Sequence, residues 1–509
     1  MFTNKNTFIR PIIYILAIGF VFSACVDLAV ENPNEPDSDR ALAEAEGVEA
    51  MFAGSFIEYW WTQKNYPFMA LSVVGGELTS TFADFGMYDL GRIPREPYIN
   101  SPTYEFRGVN WWPWSDNYTV LSLIRDGMEA IELGVMDDPD DMTPVHRART
   151  YGRFMQGVSH GYLGLFFDKA YVLDEYTDLE VGLEFKPYNE LRDVAVEKLE
   201  EAIELCEQHD FVIPDDWING LELTNNDLKQ LAHSFIARYL ASTARTPEER
   251  EEVRWDEVLY HAERGIQEVF APEGNDQPWW WTGGWRGQRP SFARASYFSI
   301  GRADTSGNFE QWENTPYEDR EPFLIHTADR RITGEDGPES EGTDFAYSGP
   351  APFPPERGTY FFSHYGHTRY RYHIDSGAYG PMPHITVAEL DMLKAEALFN
   401  LNPSGDNRER IVNLINKTRV HRGQLPPATV NHNDEELFEM IKYEKLIETF
   451  NTFSGLHYFD KRGWGELVPG TLLHFPVPGE ELEMLLEPIY THGGDEGDTS
   501  EKRFFRNRR

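Results

Sequence analysis

Cysteine is scarce in this sequence: the 509 residues contain only Cys25 and Cys206. So few thiols exclude a disulfide-stapled fold. Cys206 lies on the apolar face of a predicted helix, and this position indicates a small core residue, not a reactive thiol.

Positive charge is also in short supply. Lys and Arg number 46 against 85 Asp and Glu, which gives a net charge of -39. Nucleic acids and anionic membrane surfaces repel such a chain, so we do not expect either as a partner. A solvated acidic surface explains the charge, and adaptation to a salty habitat would explain it equally. The sign reverses only at the C-terminus, where a basic tail either docks on the acidic body or moves freely: Lys502, Arg503, Arg506, Arg508 and Arg509.

Long apolar runs are absent, except for residues 11–22 near the N-terminus. This run is too short to cross a bilayer. It follows two basic residues and ends in two small side chains before Cys25, a pattern typical of a bacterial lipoprotein signal. We therefore predict a signal peptide at 1–24, lipid on Cys25 and a flexible tether at 25–40. The alternative is an ordinary cleaved signal followed by a chance cysteine.

The sequence lacks the common enzyme motifs. There is no H-E-x-x-H, no G-x-S-x-G, no P-loop and no Rossmann glycine fingerprint. A glycosidase carboxylate pair is placed by the fold and not by spacing, so a lipid-anchored glycoside hydrolase remains open as the least favoured alternative.

Two segments have a weak likeness to metal sites. His364 and His367 supply only two ligands, and the acidic run Asp495-Glu496-Gly497-Asp498 lacks the ligand spacing of an EF-hand loop. We predict no metal site and no cofactor, and we interpret the acidic run as a solvated tail.

Apolar residues recur at spacings of three and four through most of the chain, as in amphipathic helices. The predicted helices cover approximately 118–133, 146–170, 193–208, 226–244, 255–270, 386–401, 408–421 and 434–450. Their order in neighbouring pairs predicts a mainly α fold of tetratricopeptide-like hairpins. Between 272 and 385, Gly, Pro, Arg and aromatic residues replace this periodicity and predict an irregular, loop-rich lobe with short strands.

The loop-rich lobe contains the main candidate for ligand binding. Sugars are held by flat apolar rings together with nearby polar groups, and four tryptophans occur here within seven residues. Consecutive side chains of an extended segment face opposite ways, so at least one ring should be exposed or cover a groove. The opposing interpretation is that the rings pack the lobe onto the helices. The candidate residues are Trp279, Trp280, Trp281, Trp285, Arg286 and Arg289.

Two other aromatic clusters adjoin predicted helices, and for these we expect core packing or edge contact more than ligand contact. They are Tyr59-Trp60-Trp61 and Trp111-Trp112-Pro113-Trp114.

Several segments together resemble the SusD/RagB family of nutrient-binding lipoproteins from Bacteroidetes. Their order behind a lipoprotein signal, more than any single motif, carries the likeness. The matching segments are Asp27–Asn34, Arg147–Phe167, Asp329-Arg330-Arg331, Ala388–Pro426, Tyr443–Glu448, Tyr458–Arg462 and Phe475–Pro478.

The resemblance implies a binding protein and not an enzyme. Such proteins are anchored by lipid to the outer membrane, facing the exterior, and pass a captured glycan to a SusC-like TonB-dependent barrel for import. The alternatives are a peptide-binding member of the same family and a helical-repeat scaffold that binds only protein. The resemblance also implies a division into a helical region at 41–271, a ligand-binding lobe at 272–385 and a C-terminal region at 386–509. It assigns no binding residue.

Overall fold

A computed structural model describes residues 42–80, 84–350 and 363–500. Within these ranges the chain forms eighteen α-helices and ten strands of two or three residues, so the predicted mainly α fold is confirmed. The longer helices are α1 (Ala45–Trp60), α2 (Asn65–Val74), α4 (Gly108–Glu132), α5 (Thr143–Phe166), α6 (Tyr188–Gln208), α7 (Asn225–Ser242), α9 (Trp255–Ala262), α14 (Val387–Leu401), α15 (Gly405–Arg419), α16 (Asp434–Glu448) and α17 (Leu456–Trp464). The shorter helices are α3 (Met87–Gly91), α8 (Pro247–Glu251), α10 (Thr282–Trp285), α11 (Tyr297–Ile300), α12 (Asn308–Asn314), α13 (Tyr372–Asp375) and α18 (Gly479–Met484).

Neighbouring helices pack in a continuous series. Helix α4 packs on α1 and α5, α5 on α6, α6 on α7, α7 on α9, α9 on α14, and α14 on α15 and α16. Each helix buries the apolar face that its periodicity defines, against the next helix in the series. This arrangement agrees with the predicted hairpins.

Side-chain caps fix the start of two of these helices. Thr224 and Asp227 form a capping box at α7, and Asn433 and Glu436 form another at α16. Each box satisfies backbone N–H groups that have no partner inside the helix.

Two helix predictions are wrong in extent. The helix expected over 255–270 ends at Ala262, because the chain leaves the helix for an extended segment in which Phe270 donates to the carbonyl of Ile385. Trp111 and Trp112 were expected just before a helix but lie inside α4, which begins at Gly108 and accommodates Pro113 in its second turn. The loss of one backbone hydrogen bond at Pro113 is tolerated there while Trp114 is buried.

The strands form five small antiparallel pairs, of which only β1 with β7 joins the loop-rich lobe to the rest of the described chain. Strand β1 (Leu78–Ser80) pairs with β7 (Ala293–Ala295), and β8 (Phe345–Tyr347) pairs with β9 (Tyr365–His367). The remaining pairs are β2 (Lys169–Tyr171) with β3 (Phe185–Pro187), β4 (Val212–Ile213) with β5 (Leu223–Thr224), and β6 (Glu273–Gly274) with β10 (Gly380–Pro381).

One hydrophobic core runs from Val48 in α1 to Leu482 in α18 and includes residues of the loop-rich lobe. A smaller core lies between α14, α15 and α16. Since the large core crosses 271 and 385, the three predicted regions share a core, and their division remains a prediction. Cys206 is buried as expected, and burial raises the pKa of its thiol to about 12.

Residues 495–498 are exposed, as expected for a solvated segment, but they are not a free tail. The chain there turns back onto the body: Gly494 donates to the carbonyl of Gly470, and Leu472 pairs with Thr499. Backbone hydrogen bonds hold this segment, which an acidic composition does not reveal.

Cys25 and the basic residues after 500 lie outside the described residues. None of the helices described combines the length and the apolar character that a membrane crossing needs.

Candidate ligand-binding surface

Trp279 and Trp281 point into the core. Trp279 stacks on Phe56 with ring centroids 6.1 Å apart, and Trp281 lies 5.2 Å from both Tyr370 and His373. Both indoles are buried. For these two rings the packing interpretation holds, and they anchor the segment between them.

Trp280 and Trp285 face the other way and are half-buried. The Trp60 indole N–H donates to the carbonyl of Trp280 at 2.9 Å and fixes the segment onto α1. The guanidinium of Arg289 lies 4.1 Å from the Trp285 ring, within cation–π range. The alternation expected of an extended segment therefore occurs from Trp279 to Trp281, and Trp285, at the end of the short helix α10, also lies at the surface.

Arg286 joins Trp280 to aromatic residues that are distant in sequence. Its guanidinium lies 5.8 Å from the Trp280 ring, 4.6 Å from Phe85 and 5.0 Å from Phe292. Burial lowers its pKa, and its Nε–H has no partner among the described residues. This donor is itself buried, so an acceptor from a ligand can reach it only if a neighbouring side chain moves.

The rings continue from Phe85 towards α4. Tyr66 contacts Phe85 and Trp112 edge to face, with centroids 5.0 and 4.7 Å away, and lies 6.2 Å from Phe106. Apart from the buried Phe85, these rings are half-buried. We call the following set the aromatic strip: Trp280, Arg286, Phe292, Phe85, Tyr66, Phe106 and Trp112.

Phe85 holds an unusual backbone conformation at the centre of the strip. Its φ of 55° is in the left-handed region, which bulky residues seldom adopt. The side chain of Asp84 accepts a hydrogen bond from its N–H at 2.8 Å. The surrounding structure thus maintains a strained conformation that places the Phe85 ring between Tyr66 and Arg286.

An ionisable group borders the Trp112 end of the strip. Asp116 lies one turn after Trp112, and burial raises the pKa of its carboxyl to about 7, with Glu58 adding to the shift. Burial likewise lowers the pKa of Lys64 to about 8 against the attraction of Glu58 and Asp116. Since one Asp116 oxygen has no partner among the described residues, this carboxyl can accept or donate a hydrogen bond near neutral pH.

Sequence reasoning found Trp280, Trp285, Arg286 and Arg289 but missed most of the strip. Tyr66, Phe85, Phe106 and Phe292 are aromatic residues separated along the chain, and no local pattern marks them. Trp112 was expected to make core or edge contacts, and its half-buried ring meets Tyr66 edge to face.

Other polar groups of the lobe are engaged in the core. Gln288 donates to the carbonyl of Gly283 and contacts the His367 ring, and Arg294 donates to the carbonyls of Pro290 and Gly349. These side chains position the lobe and leave little for an external ligand.

A separate cavity of about 520 Å³ lies among helices α6, α7 and α9. Its walls include Glu200, Glu204, Glu207 and Glu263. Its one aromatic residue, Tyr260, is covered by Arg264 at 3.7 Å. This cavity lacks the open ring faces that stacking on a sugar requires, so the aromatic strip is the better candidate.

Comparison with protein-family models and with curated proteins gives no match. Solved structures, however, resemble this chain over most of its length. A SusD superfamily protein of Bacteroides vulgatus has a TM-score of 0.58 at 14% identity and covers 86% of this chain and 97% of its own.

Two further structures give the same result. A SusD-like carbohydrate-binding protein of Bacteroides fragilis has a TM-score of 0.57 at 13% identity, covering 91% of this chain and 96% of its own. A SusD homolog of Bacteroides thetaiotaomicron has a TM-score of 0.55 at 11% identity, covering 90% and 99%. At these identities the comparison concerns the fold, and it agrees with the fold that the sequence motifs imply. The protein therefore has the SusD fold.

Proposed function

We propose that this protein is a SusD/RagB-type lipoprotein of the outer membrane that captures a glycan on the aromatic strip and delivers it to a SusC-like TonB-dependent barrel. The observation that carries the proposal is the strip itself. Four separate stretches of sequence supply its rings, and half-buried faces lie beside the guanidinium of Arg286. The SusD fold and the carbohydrate-binding neighbour from Bacteroides fragilis support it.

Ring faces and polar groups are combined here as sugar recognition requires. Apolar C–H faces of a sugar stack on indole and phenol rings, and Arg286 and Asp116 flank the rings with a donor and a carboxyl. One well-placed ring contributes about 0.5–1.5 kcal/mol on the scale of aromatic pairs. Two or three such contacts give weak capture, and repeated contacts along a polymer increase it through avidity.

The charges favour a neutral glycan over an anionic one. The chain carries a net charge of -39, which repels polyanions. Arg294 is already held by backbone carbonyls, and Arg286 and Arg289 lie against rings. Little cationic surface is left near the strip to attract sulfate or uronate groups.

The test is binding of the purified protein to neutral glycans, anionic glycans and peptides, read by tryptophan fluorescence and calorimetry. Trp280→Ala and Trp112→Ala should each weaken glycan binding by about 2- to 10-fold, the loss of one stacked ring. Tyr260→Ala removes an exposed ring from the separate cavity and is the matched control. Melting temperatures show that each variant is folded.

Each alternative predicts a different result. Peptide binding that is lost in the strip variants identifies a peptide-binding protein of the same fold. No small-ligand binding by the protein, alone or with its barrel, supports a scaffold that binds only protein. Release of sugar from a polysaccharide supports a glycoside hydrolase.

We also propose that residues 484–489 contribute to the surface that meets the barrel. Met484, Leu485, Leu486 and Ile489 are all exposed, and Leu486 is 92% exposed with a φ of 58°. Contiguous exposed apolar side chains commonly mark an interaction surface. The salt bridge between Arg107 and Glu480 places this segment near the start of α4.

The matched control for this surface is Leu133, which is 84% exposed at the opposite end of α4. Leu486→Ser and Met484→Ser together should reduce co-purification of the barrel with this protein, and Leu133→Ser should not. Equal recovery of the barrel with the wild-type protein, the double variant and Leu133→Ser would place the interface elsewhere.

The lipid anchor has its own test. In cells that lack the barrel, Cys25→Ala should move the protein from the membrane fraction to the soluble fraction, because the lipid is then the proposed attachment. Retention in the membrane fraction would instead favour the ordinary cleaved signal with attachment through a partner.

A further inference from the structure

Three potential metal ligands meet where the segment 491–500 folds back on the body. One ring nitrogen each of His474 and His492 and one carboxylate oxygen of Asp498 all lie within 4.8 Å of one another. Both imidazoles are more than nine-tenths buried, whereas Asp498 is exposed. The two buried imidazoles therefore supply nitrogen ligands, and the exposed Asp498 connects them to solvent.

The hydrogen bonds of His492 determine its tautomer. Its Nδ1 accepts from the backbone N–H of Asp498 at 3.1 Å, so the proton of the neutral ring is on Nε2. Nδ1 is thus the unprotonated nitrogen that a metal ligand requires, and an ion bound there would replace its hydrogen bond from Asp498.

The Nε2 of His492 faces a second carboxylate. It lies 3.7 Å from Asp168 Oδ2, too far for a hydrogen bond, and has no partner among the described residues. The hydroxyl of Tyr490 donates to the Asp168 carboxylate, 2.9 and 2.7 Å from its two oxygens, and orients it. Metal-bound histidines typically direct their other N–H to such a carboxylate.

His474 completes the cluster. Its Nε2 lies 3.1 Å from Asp498 Oδ2, and its buried Nδ1 has no partner among the described residues. Metal–ligand bonds of about 2.0–2.1 Å in a tetrahedral site separate two ligand atoms by about 3.3 Å. The observed separation is close to this value, so a cation can replace the proton between the two groups with little movement.

We propose that His474 Nε2, His492 Nδ1 and Asp498 Oδ2 bind one divalent ion of the zinc type, with water in the fourth position. Two neutral imidazoles and a carboxylate suit zinc and neighbouring transition metals, whereas calcium requires oxygen ligands. Sequence analysis predicted no metal site, because it considered only His364 with His367 and the acidic run 495–498, whereas the fold brings His474 and His492 to Asp498.

The ion would fasten the C-terminal segment to the body. His474 precedes Phe475, which pairs with Phe167 at the end of α5, while His492 and Asp498 belong to the returning segment. That segment is otherwise held by backbone bonds such as Tyr98 N–H to the carbonyl of His492. Metal binding here is independent of glycan binding on the strip.

The test uses the full chain, purified in detergent through a tag without histidine and stripped of metal with a chelator. Zinc binding is measured by calorimetry, and Co²⁺ serves as a spectroscopic probe of tetrahedral nitrogen and oxygen ligation. We expect one ion per chain, a visible Co²⁺ absorption band and a higher melting temperature with zinc. Asp498→Asn should weaken binding at least about 10-fold, and Tyr490→Phe, which releases Asp168, by about 10-fold.

The matched control is Asp495→Asn, which removes an exposed carboxylate from the same turn without touching the cluster. It should change the affinity by less than about twofold, well below the loss expected from a displaced ligand or its support. Equal affinities of Asp498→Asn and Asp495→Asn would show adventitious binding to surface acids and overturn the proposal. A wild-type protein that binds no zinc after stripping would also overturn it. Matching melting temperatures of the metal-free proteins show that all of them are folded.

Discussion

Arg331 and Glu444 form a fully buried ion pair that joins the loop-rich lobe to helix α16, with Arg331 Nη1 2.6 Å from a Glu444 oxygen. Asp329 and Glu448 also accept hydrogen bonds from this guanidinium, and the hydroxyl of Tyr443 donates to Asp329. Two of the motif segments that resemble the SusD/RagB family, Asp329–Arg331 and Tyr443–Glu448, therefore meet in one network. The motifs are structural, which explains why they assign no binding residue.

Removal of Arg331 should destabilise the protein strongly. Arg331→Ala leaves the buried Asp329 and Glu444 without their closest counter-charge, although Glu448 keeps its other arginines, and breaking such a buried pair costs about 3–5 kcal/mol. Urea unfolding measures the change in the free energy of unfolding. Arg410→Ala, which breaks the exposed pair with Glu263, should cost less than about 1 kcal/mol. Equal effects of the two substitutions would contradict the structural role of the network.

Lysine should not replace Arg238. Its guanidinium binds both oxygens of Glu389 at 2.7 Å and donates to the carbonyl of His384, all in a fully buried position. A lysine cannot make the two parallel bonds, so Arg238→Lys should lower the free energy of unfolding by about 1.5–3 kcal/mol. The control Arg254→Lys, at an exposed position, should have little effect in the same unfolding experiment.

Gly161 permits the close packing of α5 on α7. A Cβ at this position would lie 2.1 Å from the Tyr239 ring, so Gly161→Ala should destabilise the protein by about 3 kcal/mol. A Cβ added to Gly54, within α1, would meet no other side chain or element within 4 Å, and Gly54→Ala should stabilise by about 0.5–1 kcal/mol. In thermal unfolding, Gly161→Ala should lower the melting temperature and Gly54→Ala should raise it. Changes in the same direction would contradict the close packing of α5 on α7.

Asp116 should make stability fall as pH rises from about 4 to 7. The folded chain keeps the Asp116 proton to about pH 7, whereas the unfolded chain loses it near the ordinary value of 3.8. The folded state therefore binds more protons in this window, and deprotonation favours unfolding. Lys64, with its pKa lowered to about 8, acts only above this range.

Asp116→Asn removes this titration. The free energy of unfolding of Asp116→Asn minus that of the wild type should become more positive from pH 5 to pH 8. Urea titrations at the two pH values measure this difference. Asp126→Asn, at an exposed carboxylate of the same helix, is the matched control. If the free energies of unfolding of the wild type and Asp116→Asn differ by the same amount at both pH values, the raised pKa of Asp116 is contradicted.

The sequence determined the helices well where a single face is apolar. Periodicity located α6, α7, α14 and α16 closely, because burial of one helical face requires apolar residues at every third or fourth position. It missed α1 and α2, in which apolar and aromatic residues occur on nearly all sides, and it extended α9 beyond Ala262. Helices with few polar residues have no polar face to make the period visible, whereas α7 and α14 keep polar residues in their sequence although they too are buried on several sides.

The candidate sites depended on tertiary structure. Trp280 and Arg286 were found from sequence because the tryptophans are consecutive, and the alternation of an extended chain predicted that one face would reach the surface. Which rings face outward, and that Tyr66, Phe85 and Trp112 continue the same surface, followed only from the packing of the lobe on α2 and α4. The cluster of His474, His492 and Asp498 depends likewise on the return of the C-terminal segment. Local periodicity reflects which face of each helix or strand is buried. A site built from distant residues depends instead on how these elements pack together.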